Sequence, residues 1–285
     1  MLHCSPTWVY WLCSVACLPS VPAFGQAAAE LIPNGDFQQG QETPDHWQLS
    51  AEPGEWKDRD LLMVSGKGDD SNYWRCDVQL EPDRLYRFRA RARRRSTGGS
   101  AIAGPVFANR DYAGLTSDWS TISHIFRVPA NTRETYVRLG HWHTNGSIEF
   151  DSADLATVVP AYLQHHDVLL GVGESIQDNR YLFLGMFGHR ASNFHRTLES
   201  FTAGFNSDRW TFGGDAQVTY RFELPQNSFT DGHVAFNVNY HTRGACVAEI
   251  SIDGETWREV ARQGEVGQKI VELPTDLLPT DQLYL

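Results

Sequence analysis

Along most of the chain, apolar residues recur at every second position in short runs, and clusters of Gly, Pro, Asn and Asp fill the gaps between them. Cys76–Leu80, Leu85–Ala92, His124–Val128, Tyr136–Leu139, Ser147–Phe150, Val218–Leu224, Val234–Tyr240 and Val247–Ile252 all follow this pattern. Successive strand residues point to opposite faces, so a period of two predicts strands with one buried side. No long stretch carries a helical period. The pattern predicts an all-β protein built from antiparallel sandwiches. It breaks at Val158-Val159-Pro160-Ala161, which divides the chain into residues 30–160 and 161–285. A length of 285 residues suits two such domains. The last residues, Asp281 to Leu285, read as the opening of a strand, so the second sandwich is expected to be incomplete at its C-terminus.

The first 29 residues stand apart. Met1 to Ala29 carry no Lys, Arg, Asp or Glu, and Trp8 to Leu18 form an apolar run. Small residues follow at Ala23-Phe24-Gly25 and Gln26-Ala27-Ala28-Ala29. This is the layout of a secretory signal peptide, although its start offers only His3 in place of a positive charge. The expected location is therefore outside the cell or on its surface. A lipid anchor at Cys13 or Cys17 is the alternative, but Cys17 lacks the Leu expected three residues before it. Loss of the signal removes Cys4, Cys13 and Cys17 and leaves Cys76 and Cys246, read as two buried thiols or as an interdomain disulfide. The net charge of −11 argues against a general nucleic-acid binder. No run reaches the roughly 20 apolar residues of a membrane span.

Residues 30–160 carry an ordered set of motifs. Leu31-Ile32-Pro33-Asn34-Gly35-Asp36-Phe37 opens the set, followed by Pro44-Asp45-His46-Trp47. Next come Val78-Gln79-Leu80-Glu81-Pro82, Tyr86-Arg87-Phe88-Arg89-Ala90 and Phe126-Arg127-Val128-Pro129, and the series closes on Gly146-Ser147-Ile148-Glu149-Phe150-Asp151-Ser152-Ala153-Asp154-Leu155. This series resembles the carbohydrate-binding modules of the galactose-binding-like jelly-roll superfamily. In the second half, Gln217 to Val260, with its Asp253-Gly254 turn and Trp257, resembles the hairpin region of the same superfamily. The resemblance implies two consecutive antiparallel jelly-roll β-sandwiches. It also implies a structural calcium shared by the opening and closing strands, held by Asp36 and Asp151. Ser152 stands where a second acid is usual, and the other reading of the two aspartates is turn capping.

In this superfamily a glycan often lies on the outer concave sheet face, where sugar C–H faces stack on aromatic rings and hydroxyls take hydrogen bonds from Arg. Alternation from Val137 and Leu139 turns Tyr136, Arg138 and Trp142 outward, making them the candidate platform. Tyr112, in the polar segment Asn109-Arg110-Asp111-Tyr112, is a candidate contact from a loop. A second candidate is the arginine row Arg87, Arg89 and Arg91, continued by Arg93, Arg94 and Arg95. It reads as a solvated strand face balanced by acids, or as a recognition surface for an anionic polysaccharide, because the guanidinium fork fits carboxylate and sulfate. His141 and His143 share a strand face, as some zinc ligands do, with His124 a conceivable third; the plain reading is structural histidines. Asn206-Ser207-Asp208-Arg209-Trp210 reads as a sugar-gripping loop or as the lead-in to a strand.

No Gly-x-Ser-x-Gly elbow, P-loop or HExxH motif is present, and no pair of carboxylates sits in a defensible glycosidase motif. The expectation is a secreted, non-catalytic protein whose partner is a polysaccharide or other glycan. Two alternatives stand beside it. The chain could be the N-terminal binding modules of a polysaccharide-degrading enzyme whose catalytic domain lies elsewhere, or a structural surface or matrix protein.

Overall fold

The computed structural model describes residues 31–185, 187 and 193–285. The expected signal peptide, its cleavage sites and Cys4, Cys13 and Cys17 lie outside these residues. The described chain is all-β, apart from one 3-10 turn at Thr275–Leu277.

Ten strands build the first half: β1 (Trp47–Leu49), β2 (Gly54–Lys57), β3 (Leu61–Lys67), β4 (Ser71–Asp77), β5 (Leu85–Thr97), β6 (Ser100–Pro105), β7 (Ala108–Tyr112), β8 (Ser120–Arg127), β9 (Tyr136–Trp142) and β10 (Asn145–Thr157). Shorter strands follow: β11 (Leu163–His165), β12 (Val168–Leu170), β13 (Glu174–Gln177), β14 (Arg180–Phe183), β15 (Leu198–Phe201), β16 (Gly204–Asn206), β17 (Arg209–Thr211), β18 (Val218–Glu223), β19 (His233–Val238), β20 (Cys246–Ile250), β21 (Arg258–Gln263), β22 (Gly267–Glu272) and β23 (Gln282–Tyr284).

The first half is a sandwich. One sheet runs β2-β3-β10-β5-β8, and the other runs β1-β4-β9-β6-β7 and continues into β16-β17. Strand β5 shows why. Tyr86, Phe88, Ala90 and Ala92 are buried, and the arginines between them face out. Trp74, Cys76, Val137, Leu139, Ala101 and Ala103 come from the facing sheet and close the same core. Burying one large apolar side chain contributes about 1.5–3 kcal/mol, so this layer dominates the stability of the half.

The opening segment is welded to the closing strand. Asn34, at a φ of 52°, donates its side-chain amide to the carbonyls of Gln39 and Asp45 and accepts from Gln39 N. Trp47 donates its indole N–H to Asn34 O at 3.1 Å and packs edge-on against Phe37. Ala153 N donates to Gly35 O at 2.8 Å. A Cβ on Gly35 would lie 2.3 Å from Ala153 O, so only glycine permits this approach.

The second half consists of small antiparallel sheets: β11-β12, β13-β14, β15-β18-β23, β19-β22 and β20-β21. Its buried apolar side chains form three small clusters, around Leu170, Phe222 and Ile250, with Phe229 packed against all three. The final residues are a strand, with β23 pairing with β18. The described residues join the halves at two main places. Strand β16 pairs in parallel with β7, and Asn193 bonds the backbone of Arg127, at the end of β8, from both sides. Cys76 and Cys246 are both free thiols.

Candidate functional site

The outer face of the seven-stranded sheet is set by strand register. Tyr73 lies opposite Gly140, Arg75 opposite Arg138 and Asp77 opposite Tyr136, and Trp142 pairs with Ser71 on one side and Ser100 on the other. Because Trp74, Cys76, Val137 and Leu139 point into the core, these residues point away from it. Tyr136, Arg138 and Trp142 therefore share one surface.

Their surroundings differ. Trp142 is 49% exposed, with one indole face stacked on His143 at 4.1 Å and 12°. Tyr136 is nearly covered, because the Arg75 guanidinium lies 3.9 Å over its ring and is held there by Asp77 at 2.8 Å. The Arg138 guanidinium faces the Tyr73 ring at 5.4 Å. Its Nε is buried with no hydrogen-bond partner, and burial pulls its pKa down. Gly140 leaves room for Tyr73, since a Cβ there would lie 2.5 Å from Tyr73 Cβ. The composition is mixed: flat aromatic edges, fixed guanidiniums and the carboxylates Asp77 and Asp111. Sequence reasoning missed Tyr73 and Arg75. Their parity with Trp74 and Cys76 carried the signal.

Tyr112 is corrected. It ends strand β7 on the inner side, where its hydroxyl and His124 Nδ1 lie 2.8 Å apart. His124 Nε2 donates to Ala108 O at 3.0 Å, which makes Nδ1 the acceptor of the phenol proton. Burial raises the Tyr112 pKa and lowers that of His124 to about 3. The phenol is a partly buried hydrogen-bond donor at the end of a strand, not a loop contact.

The arginine row lies on a different sheet. Arg87, Arg89 and Arg91 lie on β5, in the other sheet, and cannot join the Trp142 surface. Their register explains their state. Arg89 sits opposite Asp154 and pairs with it at 2.8 Å, Arg91 pairs with Asp151, and Arg93 and Arg95 both reach Glu149. Arg91 and Arg93 also lie over the Trp119 ring, at 5.1 and 4.4 Å. Three acids about sixty positions away thus meet four of the arginines, while Arg87 Nε is buried without a partner among the described residues and Arg94 donates to the carbonyls of Gly98, Gly99 and Ala113.

Asp36 and Asp151 do not form a donor set that fits calcium. Asp36 is exposed and accepts Gln38 N at 3.3 Å, and a cation at Asp151 would have to displace the Arg91 guanidinium. Among the described residues, no group of three His, Cys, Asp or Glu converges as a metal site. The three histidines are separated in role: His141 is buried, His143 stacks on Trp142, and His124 belongs to the Tyr112 pair.

Asn206 to Trp210 form the β16-β17 hairpin at the end of the seven-stranded sheet, with Asn206 beside Asn109. In the second half, Glu174 has a fully buried side chain held by Arg196, Tyr181 and Gly171 N.

No family model matches the chain, and no curated protein matches it. Among solved structures, the chain is similar to "CBM4 structure and function", with 16% identity over 45% of this chain and 99% of that one and a TM-score of 0.35. It is also similar to the CBM22-1 xylan-binding domain from Paenibacillus barcinonensis, with 10% identity over 45% and 94% and a TM-score of 0.34. A third similar structure is the N-terminal cellulose-binding domain of β-1,4-glucanase C from Cellulomonas fimi, with 17% identity over 47% and 100% and a TM-score of 0.32. Likeness at this level adds nothing to what the chain's own residues establish.

Proposed function

We propose that this is a secreted, non-catalytic glycan-binding protein that holds a neutral polysaccharide on the outer face of the seven-stranded sheet. The observation that carries this reading is the Trp142, Tyr73 and Arg138 surface. An indole half in water is available for stacking on a sugar ring. A guanidinium packed against a tyrosine ring loses little freedom when a hydroxyl arrives, so its outer N–H groups are donors fixed in advance. Arg75 is tied to Asp77, and Arg138 lies in the field of Asp111, so the face has no excess of positive charge. On the opposite sheet, Arg89, Arg91, Arg93 and Arg95 are met by Asp154, Asp151 and Glu149, while Arg87 and Arg94 meet no acid among the described residues. The charge balance of the Trp142 face favours neutral over anionic chains on it. The charge-free N-terminal stretch supports export, and no described helix is long and apolar enough to cross a membrane.

Affinity electrophoresis tests the reading, using native gels that contain β-glucan, xylan, galactan, mannan or polygalacturonate. Retardation by at least one neutral polymer is expected, with Arg138→Ala weakening it. Free migration of the wild-type protein in every gel would overturn the reading, and retardation by polygalacturonate alone would overturn the preference for neutral chains.

A further inference from the structure

The outer face does not end with the strands of the first half. Arg75 lies opposite Arg138, Arg138 opposite Gly104, Asn109 opposite Asn206, and Asn206 opposite Arg209. Ala103 pairs with Arg110, which brings Gly104 beside Asn109. These residues form one row across six adjacent strands, about 24 Å long at the usual strand spacing. At its middle Gly104 presents only backbone to this face, since a Cβ there would point inward, 2.5 Å from the buried His124 ring.

The second half contributes the far end of this row through a short alternation. Phe205 is buried opposite the core residue Ala108, and Trp210 packs against Phe205 and Phe201 while donating to Tyr220 Oη at 2.8 Å. With those two rings turned inward, Asn206 and Arg209 are left on the outer side, next to Asp111. Ser207 N donates to Asn109 O at 2.9 Å, fixing the hairpin against β7. Asp111 lies in the combined field of Asp208, Arg209 and Arg138. The seam holds an unsatisfied group: Asn109 is 4% exposed, and its Oδ1 has no donor. Along the whole row and its flanks, Arg75, Arg138 and Arg209 are matched by Asp77, Asp111 and Asp208.

We infer that the β16-β17 hairpin is the far end of the glycan-binding face, and that Asn206, Asp208 and Arg209 set the length of neutral sugar chain the protein prefers. This rests on the glycan reading above. Arg138 at the near end of the row, with Tyr73 and Trp142 further along the same face, engages short chains. Only chains long enough to cross Gly104 reach the hairpin, where Arg209 and Asn206 present donors and Asn206 and Asp208 present acceptors to sugar hydroxyls.

Titration calorimetry of the full chain with gluco-, xylo-, galacto- and manno-oligosaccharides, β-1,4-linked and two to six residues long, tests this. Wild-type affinity is expected to rise through the hexamer. The N206A/R209A double variant should bind the trimer as wild type does and lose at least tenfold for the hexamer, whereas Arg138→Ala should weaken both. Undiminished hexamer affinity in N206A/R209A, with Arg138→Ala impaired, would overturn the inference and leave the glycan reading standing. Absence of binding by the wild-type chain to every series would remove the reading and the inference together. Hydrogen exchange on the unmodified protein is a second measure that needs no variant. The hexamer should slow exchange at residues 204–211 and the trimer should not; equal rates with and without hexamer would overturn the inference.

Discussion

Trp142 keeps half of its surface in water at the end of a strand whose other aromatic, Tyr136, is roofed by Arg75. Its removal should therefore be felt by ligand and not by the fold. Trp142→Ala is expected to lower glycan affinity by about 1–3 kcal/mol, the range seen when aromatic stacking on a nucleobase is removed, with an unchanged melting temperature in differential scanning calorimetry. A melting temperature well below that of the wild type would place Trp142 in the fold instead. Cys76 makes the opposite case. It is fully buried, and burial pushes its thiol up to about 12, so it should resist alkylation by iodoacetamide at pH 8 until denaturant is added; rapid labelling in the native protein would contradict this. The outward parity of Trp142 and Arg138 was legible from Val137 and Leu139. The cover over Tyr136 was not, because Arg75 comes from a strand about sixty residues earlier, and parity says nothing of what lies above a ring.

At the scale of elements, the long regular strands were readable and the short ones were not. Strand β5 announces itself by strict alternation over Tyr86 to Ala92. The sheet extension by Gly204–Asn206 has three residues and a parallel, non-local partner, so no local pattern could mark it. The acids that meet four of the arginines were likewise visible as residues but not as neighbours, since the β10 register sets the pairs. Two substitutions probe the joints between elements. Gly35→Ala would drive a methyl group into Ala153 O and should cost on the order of 1–3 kcal/mol in urea unfolding, as overpacking does; a neutral result would show that the opening segment can shift. Asn193→Ala removes both side-chain hydrogen bonds to Arg127 and leaves that backbone N–H and C=O without their partner, a loss of about 1–3 kcal/mol. Because this joint links the halves, the same variant should also show faster amide exchange at the end of β8.

For the whole molecule, acid is the expected weakness. His124 and His195 are buried in different halves, and burial lowers their pKa values to about 3 and about 4. Arg110 adds to the effect at His124, whereas Glu174 partly offsets it at His195. Both values lie below that of an unfolded histidine, near 6.5, so the unfolded chain binds protons first. Stability should be flat above about pH 6.5 and fall as pH drops toward 4, by up to about 1.4 kcal/mol per pH unit for each histidine. Urea midpoints measured from pH 8 to pH 4 would check this, and a midpoint that stays level to pH 4.5 would count against it. A further consequence follows from the way the second half meets the first. Within the first half, β7 ends one sheet and β8 the other; the C-terminal half covers β7 with β16, moving that edge out to the three-residue β17, and caps β8 with Asn193. Open sheet edges are templates for pairing with other copies. The C-terminal half thus acts as a guard against polymerisation. A fragment stopped at Pro160 should keep its β circular dichroism yet elute as concentration-dependent oligomers in size-exclusion chromatography, while the full chain at the same concentration elutes at a smaller, constant size.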